Sequence, residues 1–440
     1  MYKYQVLVVC FIPASMHTTS RTHTGVRVLS KPHRDTVTRE HMRSCADNVD
    51  VVPSNLSSMA TQRWHSLTLL VLLDFLFVTS GYAVTQASSI ESKGWDFRGH
   101  FVGYEVANEE ALSDEPILLL NGFGVGSFHQ HRLIPEILSC DEKRVIYGMD
   151  YLGQGRSWPV DCDDGNSESE RGLIYSADLW VEQIISFLEQ VVRSKGKIHL
   201  VGNSVGGHLA AVVASRRPDL VASLSLLNPT PVWGLNLPGW SGKLPPPAIP
   251  RKIGRILFDL IRDLGTIEKY LETAYANRGA FGSDLMDQIR ACTEGKGGHA
   301  AFSSILWSPP ASYQGNAKNF YQVLSQVQCD VLLLFGQDDP WCKPAFAKRM
   351  IQSLTERAAS SACCRYLQLS NVGHCPNHEA PKAVGKTVAA WIGATNRSTI
   401  PLVDGDREVF HEEWAAIELR ELGADEIKVT LVDKLAVAFV

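Results

Sequence analysis

Gly202-Asn203-Ser204-Val205-Gly206 sets a serine between glycines, after the apolar run Ile198 to Val201 and before the helical stretch Leu209 to Ser215. That context suits a sharp strand-to-helix turn that lifts the hydroxyl clear of a sheet, with small flanks letting strand and helix approach closely. The N–H of Val205 then faces the place where negative charge develops during acyl transfer. Gly207 adds room on the helix side. An earlier apolar run, Ile117 to Leu120, ends in Asn121-Gly122-Phe123-Gly124, and the N–H of Phe123 is the candidate second oxyanion donor. A serine hydroxyl is a weak nucleophile until a base, itself held by an acid, takes its proton. Gly336-Gln337-Asp338-Asp339-Pro340-Trp341 offers two acids. Asp339, next to Pro-Trp, is favoured, and Asp338 is left to solvate the turn. The run Leu367 to His374 reads as a strand, a loop and a glycine presenting His374 as the base. His378 is the runner-up and is read as a surface residue, while His208, within the helix after Ser204, faces away from the serine.

These residues need rigid elements behind them. Ile117 to Leu120, Val145 to Met149, Ile198 to Val201, Ala222 to Leu227 and Val331 to Phe335 are short continuous apolar runs, as in strands buried on both faces of a parallel sheet. Trp95 to Val106 alternates apolar and polar residues and predicts paired antiparallel strands. Ser176 can cap a helix carrying Trp180, Ile184, Phe187, Leu188 and Val191 at helical spacing. Arg216 and Arg217 suit the negative end of the helix after Ser204, and Pro218 stops it. Val384, Val388, Trp391 and Ile392 mark a last helix. Alternating strands and helices predict an α/β class with a mostly parallel sheet covered on both faces. Residues 229–328 interrupt the alternation with clustered prolines and helical segments such as Ile253 to Leu264. An insertion after a strand's carboxyl end lies over the ligand crevice. The expected organisation is therefore a core of residues 95–228 and 329–393, a helical cap at 229–328 and a C-terminal extension at 394–440. In that extension, the run from Val429 to Val440 could add a strand or pack on the surface.

Residues 1–94 read as a targeting presequence. Tyr4 to Ala14 and Leu67 to Val78 are each near the length of a signal-peptide core and too short to span a bilayer comfortably. The stretch between them is rich in Ser, Thr, Arg and His, the chemistry of a transit peptide. A start at Met59 would leave a tidy signal sequence. Net charge is −5 with no long basic block, which gives nucleic-acid binding no electrostatic support. The ten cysteines contain no C-x-x-C pair, so they are read as free thiols rather than a metal site or disulfide framework, and no cofactor motif is found. The acidic loop from Asp161 to Glu170 is read as a solvated insertion.

Asn203-Ser204 with Gly206-Gly207, together with Leu226-Leu227-Asn228-Pro229-Thr230-Pro231, Gly336 with Asp339-Pro340-Trp341, and Gly373-His374-Cys375-Pro376 with Glu379-Ala380-Pro381, resemble the pheophytinase and chlorophyll dephytylase family of α/β-hydrolases. The resemblance runs over roughly residues 95–393. It implies the α/β-hydrolase fold, the triad Ser204, Asp339 and His374, and removal of phytol from pheophytin. Many relatives begin the oxyanion loop with histidine where this chain has Asn121, a residue that can still hydrogen-bond the loop. A flat macrocycle on a long apolar alcohol needs aromatic walls, and Trp233, Trp240, Trp307 and Trp341 lie in or beside the insertion. The resemblance also implies a plastid location, with a peripheral thylakoid membrane or other chlorophyll-catabolic enzymes as partners. Two alternatives stay open: hydrolysis of chlorophyll or another apolar ester by the same triad, and a hydrolase-fold ligand receptor that acts by docking a partner. A fluorescent fusion of residues 1–94 is expected to colocalise with pigment autofluorescence; uniform cytosolic signal, from it and from a fusion starting at Met59, would exclude the targeting reading.

Overall fold

The computed structural model describes residues 89–111, 114–158, 172–233, 237–295, 297–357, 361–430 and 433. The presequence up to residue 88, the acidic loop and nearly all of the run from Val429 lie outside them.

Ten strands form one sheet in the order β1-β2-β4-β3-β5-β6-β7-β8-β10-β9. They are β1 (Ile90–Phe97), β2 (His100–Ala107), β3 (Ile117–Leu120), β4 (Ile146–Met149), β5 (Ile198–Asn203), β6 (Val221–Leu227), β7 (Asp330–Gly336), β8 (Cys364–Leu369), β9 (Glu408–His411) and β10 (Ala416–Glu421). β4, β3, β5, β6, β7 and β8 pair in parallel. The outer pairings β1–β2, β2–β4, β8–β10 and β10–β9 are antiparallel. Two boundaries differ from the sequence reading. The sheet begins at Ile90, upstream of Trp95, because residues 90–97 pair along their whole length with residues 100–107. Residues past 394 are also not outside the core, because Ile417 and Leu419 are fully buried on the sheet and β10 pairs with β8.

The strand period of two explains why the central strands are apolar throughout. Leu118 and Leu120 point into one core and Ile117 and Leu119 into the other, as do Leu333 and Phe335 against Leu332 and Leu334. On the first face lie α2 (Ala177–Phe187), α3 (Val205–Arg216) and α9 (Pro344–Thr355), contributing Trp180, Leu209 and Met350. On the second lie α1 (Leu133–Cys140) and α11 (Pro381–Gly393), through Ile137, Val388 and Trp391. The Ser176 side chain caps α2 by accepting from the Leu179 N–H at 3.3 Å. Between β6 and β7 the chain forms α4 (Ala248–Ile261), α5 (Leu264–Ala274), α6 (Ser283–Ala291), α7 (Gly298–Trp307) and α8 (Phe320–Leu324). A short helix α10 (Pro376–Glu379) precedes α11.

Four of the buried histidines are held far from their ordinary protonation by the packing around them. His199 lies on β5, and His208 on α3 stacks on Phe320 with ring centroids 4.5 Å apart. His129 and His378 stack on each other at 4.8 Å. Burial pushes all four down, to about 3 for His129 and His199, to about 4 for His208 and further for His378. Since the folded values lie below the ordinary 6.5, the unfolded chain takes up protons that the folded chain refuses. Their contribution to stability is therefore complete above that value and is lost as pH falls through it, by up to about 1.4 kcal/mol per pH unit for each histidine. Thermal melts followed by circular dichroism should show Tm falling progressively from pH 7 to pH 5. His208→Gln should flatten that slope, and a Tm independent of pH over this range would contradict the assignment.

Candidate active site

Ser204 has φ 55° and ψ −120°, a conformation that side chains rarely adopt. The turn needs glycine on both sides. A Cβ on Gly202 would come within 2.5 Å of the Gly206 carbonyl, and one on Gly206 would collide with the backbone of Leu120 and Asn121. The turn throws the Ser204 side chain off the carboxyl end of β5. There its Oγ lies 2.8 Å from His374 Nε2, and His374 Nδ1 lies 2.7 Å from Asp339 Oδ2. One relay thus joins three residues from the ends of β5, β7 and β8. Asp338 is exposed and outside the relay.

Asp339 is held from several sides. Its Oδ1 accepts from the N–H groups of Trp341 (2.8 Å) and Cys342 (2.9 Å), and its Oδ2 also accepts from Asn228 Nδ2 at 2.6 Å. Burial works against its charge, but His374 and those backbone donors outweigh it and hold the carboxyl below its ordinary value. Asn228, at φ 42° just past β6, also pins the end of β7 by accepting from the Gly336 N–H at 2.8 Å. Cys342 lies near Asp339 and His374, a grouping that could in principle hold a metal. Here both imidazole nitrogens are engaged by Asp339 and Ser204, which makes the grouping part of the relay.

The His374 loop is fastened by its backbone. Its N–H donates to the Ala274 carbonyl at 2.7 Å, and its carbonyl accepts from Asn203 Nδ2 at 2.8 Å. Glu379, fully buried, accepts from the N–H of Gly373 through one oxygen and from the N–H of Asn277 at 2.9 Å through the other. Burial raises this carboxyl to about 7, against the pull of those donors. His378, read from the sequence as a surface residue, is instead buried against His129. Arg132 crosses to it, donating to its carbonyl at 3.2 Å and to the Ala280 carbonyl at 2.7 Å. His129 Nε2 lies 2.8 Å from the Tyr275 hydroxyl.

Val205 opens α3, where the first N–H groups of a helix have no partner within it. The Gly122-Phe123 loop lies alongside, since a Cβ on Gly122 would sit 3.5 Å from Ser204 Cβ. Asn121 shapes that loop by donating to the carbonyls of Gly122 (3.0 Å) and Val125 (2.9 Å), and Gln154 accepts from the Gly124 N–H at 2.8 Å. Trp233 packs on Phe123 with ring centroids 5.1 Å apart. Trp307 sits in an apolar cluster with Phe258, Phe302 and Leu306 that Phe123 also touches, and Trp240 joins it 5.8 Å from Trp307. Trp341 meets the His374 ring edge-on at 4.8 Å. Of the four tryptophans singled out from the sequence, Trp233, Trp307 and Trp341 are buried, and Trp240 is partly so. A polar cavity of about 480 Å³ lies elsewhere, lined by Lys197, Asp330 and Arg397 and not by Ser204.

Asn203, Asn228, Glu379 and His129 were not singled out as site residues by the sequence. The first two stand within the quoted motifs, as does Glu379, but their partners are remote in the chain.

Residues 117–387 match the profile of the Alpha/beta hydrolase family, 271 of 440 residues. The chain is 28% identical to the chloroplast pheophytinase of Arabidopsis thaliana over 355 residues, 72% of this chain and 70% of that protein. It is 23% identical to a 2-hydroxy-6-oxononadienedioate/2-hydroxy-6-oxononatrienedioate hydrolase of Burkholderia vietnamiensis, over 62% of this chain and 85% of the other. Over a shorter stretch, 26% of this chain and 30% of the relative, it is 46% identical to the monoacylglycerol lipase ABHD6 of Bos taurus. Among solved structures, the candidate lipase lip1 of Acinetobacter baumannii AYE superposes with a TM-score of 0.50 at 16% identity, covering 79% of this chain and 97% of that one.

The two neighbouring aspartates give a direct check on the relay. Asp339→Asn should lower kcat on a short p-nitrophenyl ester by about 10³-fold or more, because the imidazole loses its orienting carboxylate. Asp338→Asn should leave kcat near its starting value, and Asn228→Ala should fall between. Equal losses at 338 and 339 would remove Asp339 from the relay. The parallel sheet, the glycine-flanked serine turn and the family profile over more than half the sequence lead to one assignment: the chain belongs to the alpha/beta hydrolase family and is a hydrolase.

Proposed function

We propose that the protein is a serine hydrolase that cleaves the phytyl ester of pheophytin. The observation that carries the mechanism is the relay Ser204–His374–Asp339 with its two bonds of 2.8 and 2.7 Å. His374 Nε2 takes the hydroxyl proton as Ser204 Oγ attacks the ester carbonyl carbon. The tetrahedral oxyanion meets the N–H groups of Val205 and Phe123. Collapse of that intermediate breaks the bond to the alcohol oxygen, and His374 returns the proton to the departing phytol. Water, deprotonated by His374, then cleaves the acyl-enzyme to release pheophorbide and restore Ser204.

The substrate reading rests on the similarity to chloroplast pheophytinase and on the buried aromatic rings of Trp233, Trp307 and Trp341. The same similarity supports a plastid location. Two buried donors beside the Phe123 loop, Gln154 Nε2 and Trp233 Nε1, have no hydrogen-bond partner among the described residues. Metal-free pigment is favoured because His299, the histidine of the insertion that could ligate magnesium, is buried with Nε2 3.3 Å from Arg255. A second reading, hydrolysis of a glycerolipid ester, is favoured by the stretch similar to monoacylglycerol lipase.

Incubating the full chain separately with pheophytin, chlorophyll and a monoacylglycerol, then separating the products, tests these readings. Pheophorbide should form fastest, and Ser204→Ala should lower turnover by about 10³-fold or more without loss of fold. Faster release from chlorophyll would overturn the pigment preference, and release of fatty acid alone would favour the lipid reading. Near-normal turnover by Ser204→Ala would remove the serine mechanism.

A further inference from the structure

Helix α4 has two apolar faces, and only one of them is packed. Pro250, Gly254 and Phe258, spaced four apart, are buried. Gly254 fits tightly against Ser303 of α7, and Phe258 meets Phe302 at 5.7 Å. The other face carries Ile249, Ile253, Ile256 and Leu260, spaced by four, three and four residues, which places them in one stripe along the helix. These side chains are 73%, 44%, 68% and 48% exposed, and Leu264, at the start of α5, continues the line at 43%. Most of the large hydrophobic side chains that are exposed among the described residues belong to this stripe.

The charges on the same helix identify what could cover it. Residues 248–262 carry Arg251, Lys252, Arg255 and Arg262 against Asp259 alone, within a chain whose net charge is −5. Lys252 and Arg255, both exposed, run along one edge of the stripe with Asp259 between them, whereas Arg262 lies over the Phe258 ring on the packed side. An aliphatic stripe with cations along its edge is the pattern of a helix lying in the plane of a membrane interface, its apolar side chains among the acyl chains and its cations at the headgroups. Protein-binding hot spots are built instead from Trp, Tyr and Arg, and Leu is under-represented in them. We propose that the outer face of α4 seats the protein on a bilayer surface carrying negatively charged lipid.

The placement also suits delivery of an apolar ester. The inner face of α4 belongs to the cluster of Phe258, Phe302, Leu306 and Trp307, and that cluster reaches Phe123 beside Ser204. One helix thus separates the acyl region of the bilayer from the apolar approach to the serine.

Vesicle co-sedimentation of the full chain tests the surface without reading hydrolysis, so its outcome is independent of which ester the enzyme cleaves. Vesicles of phosphatidylcholine alone are compared with vesicles containing phosphatidylglycerol. The chain should bind the anionic vesicles, and added salt should weaken binding. Ile253→Ser/Ile256→Ser/Leu260→Ser should reduce partitioning by about tenfold or more by removing apolar burial. Lys252→Glu should reduce it by about fivefold or more on anionic vesicles only. Both variants should keep the wild-type circular dichroism spectrum and rate on a short soluble ester. Three outcomes would overturn the proposal: no binding by the wild-type chain; unchanged binding by both variants; or a dimer in light scattering that the serine variant dissociates, without vesicle binding, which would make the stripe a contact between two copies.

Discussion

Ser204 at φ 55° and ψ −120° demands that β5 and α3 approach until their backbones touch, and only Gly202 and Gly206 permit that. The contact fixes more than the serine. Gly206 also abuts the end of β3, so the turn sets the distance from β5 to the loop that carries Phe123. Gly207 lies against Pro229 at the exit from β6, where the chain leaves the sheet for the inserted helices. One strained residue therefore registers three strand ends against one another. The burial of the central strands on both faces supplies the stability that keeps such a conformation in place.

From that corner, order passes to the imidazole through backbone bonds rather than side-chain packing alone. Asn203 holds the His374 carbonyl and Ala274, at the end of α5, holds its N–H. Glu379 grips the preceding glycine with one oxygen and Asn277 with the other. The inserted helices are thus part of the mounting of the base. A displacement of α5 would move the Ala274 carbonyl and, with it, the nitrogen that faces Ser204.

Much of this was legible in the sequence because it is local. Ser204 announces itself through Gly202 and Gly206 placed symmetrically about it, His374 through a glycine after a strand, and Asp339 through Pro-Trp. Asn228 and Glu379 carry no comparable signal, since one acts on a residue 111 positions away and the other on one 102 away. His378 looks like a solvated residue because its neighbours in sequence are polar. It is buried because His129 and Arg132, the latter 246 positions earlier in the chain, pack against it. The strand at Ala416–Glu421 has a period-two signal in Ile417 and Leu419, but with three acidic or basic residues interleaved it reads more easily as tail than as sheet.

That last strand bears on how the chain is made. β8 leads directly into the loop that carries His374, and its outer edge is closed by β10, which lies about fifty residues later in the sequence. During synthesis from the N-terminus, β3 to β8 can assemble while the edge beyond β8 still presents unpaired N–H and C=O groups. An open edge of that kind is a template for joining another nascent chain. The interval between emergence of β8 and arrival of β10 is therefore the period in which a chaperone holding the sheet edge would matter most to the yield of functional protein.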